Sequence, residues 1–146
     1  MIRTLMVVLV SIVFLYGCSS LMPWENLDAH QDELSLATYV QAVASELDCE
    51  SQIRIYDYAN YSHFYASIRD MSLKAKWLVH LTEAIPNNPT TEELARELYA
   101  LTKELGDRYD ISKPENAPSP AYCEAKLENI EDAAGRIAEA FAQKEY

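Results

Sequence analysis

The sequence predicts an all-α protein, a four-helix up-down bundle that becomes a five-helix bundle if its second helix is broken. Three observations carry this expectation. Of 146 residues only 3 are Gly and 6 are Pro, and the prolines, at 23, 86, 89, 114, 118 and 120, stand at plausible ends or in loops. Such sparse punctuation suits long helices. Apolar residues recur at alternating steps of three and four in four separate segments, the spacing of one helical face. No run of alternating β-branched residues reads as a strand, and no internal repeat is found.

The first helix is expected from about Asp32 to Asp48, with Leu36, Val40, Val43 and Leu47 as its apolar stripe. Cys49 stands just beyond it. In the second helix the stripe is Phe64, Ile68, Met71, Ala75 and Leu78, and the helix stops before Pro86, because a residue preceding proline is pushed out of the α region. Its start is open. Ile53, Ile55, Tyr56 and Tyr58 are apolar enough to be helical, yet the phase would carry Asp57 onto the core face. A short preceding helix, broken near Asn60-Tyr61-Ser62, is the alternative.

The third helix opens on Thr90-Thr91-Glu92-Glu93, the form of a capping box, and its stripe is Leu94, Leu98, Leu101 and Leu105. Gly106 lies near its end, and a loop over 110–118 follows. The fourth helix opens at Ser119-Pro120, an N-cap residue and a proline at the first helical position. Cys123, Leu127, Ile130, Ala134, Ile137 and Phe141 give it the most regular heptad in the chain.

Ahead of these helices the chain begins with Met1-Ile2-Arg3 and an apolar run from Leu5 to Leu15. That is a charged n-region followed by an h-region. The run ends at Tyr16-Gly17-Cys18, well short of the roughly 20 apolar residues that a membrane-spanning helix needs. Leu15-Tyr16-Gly17-Cys18 resembles the lipobox of bacterial lipoproteins. The resemblance implies cleavage after residue 17, a palmitate-bearing lipid on Cys18, and a mature protein that starts there. In that family an Asp after the cysteine commonly retains the protein in the inner membrane; with Ser19 here, the expectation is the outer membrane, facing the periplasm. Residues 18–30 then read as a lipidated flexible tether reaching at most roughly 40 Å, and residues 31–146 as the bundle domain. Trp24, within the tether, would lie at the membrane interface or pack on the domain.

With Cys18 committed to lipid, Cys49 and Cys123 remain in an oxidising compartment, where pairing is the economical expectation. An up-down-up-down bundle places the end of its first helix and the start of its fourth at the same end, where these two cysteines stand. They have no Cys-x-x-Cys spacing, so the bridge is read as structural.

The formal net charge is −11, and loss of Arg3 with the signal makes it one unit more negative. Such a surface repels nucleic acid and anionic head groups, so no nucleic-acid partner is expected and membrane attachment falls to the lipid. His30, His63 and His80 belong to no metal-binding pattern, and no P-loop, dinucleotide or nucleophile-elbow motif occurs. No catalytic residue, metal or cofactor is expected. His80 and Glu83, one turn apart, read as a solvated contact, and Glu97, Glu104, Glu124, Glu128 and Glu131 as solvated helical faces.

The second helix carries an apolar surplus. Leu73 and Trp77 lie more than a third of a turn away from its core stripe, and Tyr56, Tyr58, Tyr61 and Tyr65 crowd its beginning. The favoured expectation is that this central helix buries two faces. The other is a docking face in which Leu73, Trp77, Tyr58 and Tyr65 contact a partner.

In layout, from lipobox through tether to a disulfide-closed bundle, the chain resembles the small α-helical pilotins of bacterial secretion systems. That resemblance implies a non-enzymatic, lipid-anchored envelope accessory protein, an adaptor for another envelope protein. The alternative is a periplasmic ligand-binding, exclusion or inhibitory helical lipoprotein. An apolar groove wide enough for a helix would favour the first, and a closed pocket with convergent polar groups the second.

Overall fold

The computed structural model describes the backbone of residues 22–50, 58–85 and 88–143, and the side chains of 31–50, 61–85 and 88–143. Four long helices occur among the described residues: α1 (Met22–Glu46), α2 (Tyr58–Ala84), α3 (Pro89–Arg108) and α4 (Pro120–Ala142), with a 3-10 turn at Pro114–Asn116. No strand occurs among the described residues, and no helix there is long and apolar enough to cross a membrane. The chain divides into two compact units, Met1–Gln31 and Asp32–Tyr146. The bundle is the second.

Specific contacts give its topology. Tyr61 meets Tyr109 and Glu83 meets Arg96, so α2 and α3 run antiparallel. Glu104 with Lys126, and Glu97 with Arg136, do the same for α3 and α4. At the other seam Cys49 meets Cys123, and Gln41 stands against Gly135. The fold is an up-down four-helix bundle closed by the Cys49–Cys123 disulfide.

In α2 and α4 the predicted stripes are the core. Phe64, Ile68, Met71, Ala75 and Leu78 are fully buried, as are Cys123, Ile130, Ala134 and Ile137, with Leu127 and Phe141 nearly so. Burying each of the larger side chains contributes about 1.5–3 kcal/mol. Ser119 caps α4 as expected, its hydroxyl accepting from the Tyr122 amide at 3.3 Å with proline at the first helical position. α2 runs unbroken from Tyr58, so the break near Asn60-Tyr61-Ser62 does not occur. Ile53, Ile55, Tyr56 and Asp57 lie outside the described residues.

In α1 and α3 the stripe is rotated from its predicted phase. Glu33, Ala37, Val40 and Ala44 are the buried row of α1, while Leu36, Val43 and Leu47 pack half-buried against it. In α3 the buried row is Thr91, Ala95, Leu98, Thr102, Leu105 and Gly106, with Leu94 and Leu101 at its margin. Small residues line the inner face and let backbones approach, and the leucines roof the seams. Thr102 can be buried because its hydroxyl donates to the carbonyls of Leu98 and Tyr99, at 3.0 and 3.1 Å.

Helix ends differ too. α1 begins at Met22, not Asp32, so residues 22–30, expected as a tether, are helical, and it ends at Glu46 rather than Asp48. Asp48 instead accepts from the amide of Glu50 at 3.0 Å, and Cys49 and Glu50 are helical. α3 starts at Pro89 with Asn88 as N-cap, whose carbonyl accepts from the Glu92 amide, rather than on a capping box opened by Thr90. With proline at the first helical position, the N-cap falls two residues early, at Asn88 rather than Thr90.

Candidate partner-docking face

α2 turns Phe64, Ile68, Met71, Ala75 and Leu78 inward, so residues half a turn away must point outward. The outward row is Ala66, Leu73, Trp77 and Ala84, all exposed. Leu73 is 54% and Trp77 62% exposed, whereas the core residues of the same helix are at or near zero. α2 therefore buries one face at this level, and the expectation that it buries two is overturned for Leu73 and Trp77. A bundle of four helices leaves the back of each helix without a neighbour.

Two sets of polar contacts border the row. On the α1 side, the Tyr39 hydroxyl donates to Asp70 Oδ2 at 2.5 Å, and Lys74 Nζ stands 5.7 Å from the Tyr39 ring centroid. The hydrogen bond to Asp70 raises the Tyr39 pKa above its ordinary value, with burial and the Asp70 charge adding in the same direction. On the α3 side, Arg96 reaches Glu83 at 2.6 Å and Glu92 at 2.9 Å. His80 lies 3.6 Å from Glu83 and edge-on to Trp77, with ring centroids 6.2 Å apart. Both partners of the His80–Glu83 contact are exposed, as a solvated pair should be.

The other predicted site residues separate. Tyr65 is half-buried and packs against the core, away from Leu73 and Trp77. Tyr61 is buried, and its hydroxyl donates to the Asp110 carbonyl at 3.3 Å. The Tyr58 side chain and Cys18 lie outside the described residues. Cys49 and Cys123 are joined, with their Cα atoms 6.0 Å apart. The sequence reading missed Tyr39 and Leu34 of α1, both exposed. Their only sequence signal was that they fall outside the stripe of α1.

Comparison with protein families, curated proteins and solved structures finds no match for this chain.

A groove of about 630 Å³ runs along α4, lined by Gln41, Glu97, Leu101, Asp132, Arg136 and Glu139 among others. It opens to solvent, and its arginine is already paired with Glu97 at 2.8 Å. No group of three or more His, Cys, Asp or Glu side chains that could hold a metal ion occurs among the described residues. The row on α2 has a different character. Two large apolar side chains in water, held on a rigid helix, can release ordered water only by docking against another apolar surface.

Proposed function

We propose that this protein is a non-enzymatic accessory lipoprotein of the bacterial envelope, held at the outer membrane by lipid on Cys18 and facing the periplasm. It acts as a pilotin-like adaptor, and its bundle binds another envelope protein through the outward face of α2. The observation that carries this reading is the exposure of Leu73 and Trp77 beside a fully closed core. Tryptophan is enriched among residues that dominate protein interfaces and is unfavourable in open water. The alternative, a ligand-binding or inhibitory lipoprotein, calls for a closed pocket with convergent polar groups. The groove along α4 is open and polar, with Glu97, Glu131, Asp132 and Glu139 in its lining and Leu101 as its one large apolar residue, so it is neither such a pocket nor an apolar groove.

Two measurements test the proposal in growing cells. Labelling with a palmitate analogue should mark the wild type and not Cys18→Ala, and label retained on the variant would refute the anchor. A photo-crosslinking amino acid at position 73 should yield one discrete adduct with an envelope protein. No adduct from this face would refute the adaptor role.

A further inference from the structure

We propose that, in the absence of another protein on this face, the chain forms a reversible antiparallel dimer in which the outward face of α2 meets the same face of a second copy. The row to be covered is Ala66, Leu73, Trp77 and Ala84, at steps of seven, four and seven residues. These steps keep all four on one side of a 3.6-residue helix. They also read the same in both directions. The order is small, large, large, small from either end, so a copy turned about a two-fold axis sets Ala66 against Ala84 and Leu73 against Trp77, twice over. That self-complementarity is what an isologous interface requires. The small ends let the two backbones approach, and the large side chains at the centre shield one another from water. From Ala66 to Ala84 the seam is roughly 27 Å long.

Charge selects the same register. The exposed ionic residues beside the row on its α3 side are Arg69, Lys76 and Glu83, again seven residues apart. The axis that sets Leu73 against Trp77 keeps like flanks on one side of the seam. It therefore brings Arg69 of each copy to within about 3 Å, measured along the helix, of the level of Glu83 in the other. Glu83 bonds Arg96 through Oε1 at 2.6 Å, and a carboxylate has further acceptor sites. Lys76 alone meets its own copy, at the axis, where its long stem lets the ammonium turn to water. On the other flank Asp70 and Lys74 are both held at Tyr39. A parallel pairing would instead set Arg69 against Arg69 and Glu83 against Glu83.

Net charge restricts the interface to α2. The chain holds 23 acidic and 12 basic residues, so two copies repel each other over most of their surface. α1, α3 and α4 each carry more acids than bases, whereas α2 carries Arg69, Lys74 and Lys76 against Asp70 and Glu83. Of the four helices, only this one can approach its twin without laying acid on acid. A single helix–helix seam is small beside the roughly 1,200–2,000 Å² of stable interfaces, so the dimer is weak, with a dissociation constant on the order of 10 μM. The adaptor reading gives the same face to an envelope protein, and a weak dimer covers Leu73 and Trp77 until that protein displaces the copy. The dimer itself does not depend on that reading.

Sedimentation equilibrium of the full chain in density-matched detergent, from about 1 to 200 μM, tests the proposal. The wild type should pass from monomer to dimer, and Trp77→Ala should stay monomeric with its melting temperature unchanged. Arg69→Glu and Glu83→Arg should each raise the dissociation constant about tenfold, because the two-fold axis repeats every change. An equimolar mixture of these two variants should regain wild-type dimerisation, since opposite charges then face each other at both pairs. A dimer that survives Trp77→Ala, or a mixture no tighter than its components, would overturn the proposal. So would monomers throughout the range, whether the face stays bare or binds phosphatidylglycerol vesicles through Trp77. A monomer in solution whose position 73 crosslinks to an envelope protein in cells would overturn the dimer and leave the adaptor role standing. A dimer in solution without that adduct would uphold the dimer and refute the adaptor role.

Discussion

Cys49, just after α1, and Cys123, in the first turn of α4, are bonded across a sequence separation of 74 residues. Both are buried, at the end of the bundle where Tyr61 and Tyr109 also meet. The bridge ties the first helix to the last, so the loop it closes contains α2 and α3 entire.

A loop of that length should stabilise the fold by about 4–5 kcal/mol in the chain-entropy description. Cys49→Ser and Cys123→Ser should each lose most of this, and the double variant should lose no more than either, because both remove the same bond. Urea titrations of the three variants check it. Additive losses would mean that the two cysteines act separately.

Trp77→Ala should cost less than about 1 kcal/mol, as exposed positions generally do. Phe64→Ala, thirteen residues earlier on the inward face of the same helix, should cost about 3–5 kcal/mol. Thermal melts of both variants decide it. A large loss in Trp77→Ala would mean that the tryptophan is packed and is not a docking residue.

The contrast between those two residues marks what the sequence could carry. Periodicity gave the direction of the core stripe of α2 and of Leu73 and Trp77, but not how many helices surround it, and that number decides whether Trp77 is core or surface. α4 was legible but for Ala133, because Leu127, Ile130, Ile137 and Phe141 mark its inner face with large residues. α1 and α3 were read out of phase because their inner faces are built of Ala37, Ala44, Thr91, Ala95, Thr102 and Gly106, and a search for large apolar residues settles on the leucines at the margins. Residues 22–30, which include Pro23 and carry no apolar period, were read as a tether and are helical. The described tyrosines before Leu73 divide too: Tyr61 falls on the inward face and Tyr65 at its margin.

Gly106→Ala should stabilise the protein. This glycine is buried within the final turns of α3, and a Cβ there would stand 3.6 Å from Ile68 Cγ2 and 4.0 Å from Arg69 Cδ, ordinary contact distances. Alanine then gains about 0.5–1 kcal/mol from its lower backbone entropy in the unfolded chain. Gly135→Ala should gain less, because its Cβ would come within 3.1 Å of the Gln41 amide nitrogen, which has to swing aside. Denaturant midpoints at unchanged slope check both. A lower midpoint for Gly106→Ala would reveal overpacking against Ile68.

Alkaline stability should depend on Tyr109. Its ring is buried edge-on to Phe64, with centroids 5.1 Å apart, and its hydroxyl finds no hydrogen-bond partner among the described residues. Burial is the main cause that pushes its pKa above the ordinary value of 10.0, and the neighbouring phenols of Tyr61 and Tyr122 add to it. Burial likewise raises Tyr61. The folded state thus holds protons that the unfolded chain releases above about pH 10. Stability from these groups is complete below that pH and falls as pH rises through it toward the folded pKa. Tyr109→Phe keeps the ring and removes the titrating group, so its midpoint should decline less steeply between about pH 9.5 and 11 than that of the wild type. At neutral pH it should match or exceed the wild type by up to about 1 kcal/mol, since an unpartnered buried hydroxyl is lost. Urea midpoints across that range provide the measurement. Parallel declines would show that the Tyr109 hydroxyl ionises as readily in the bundle as in the unfolded chain.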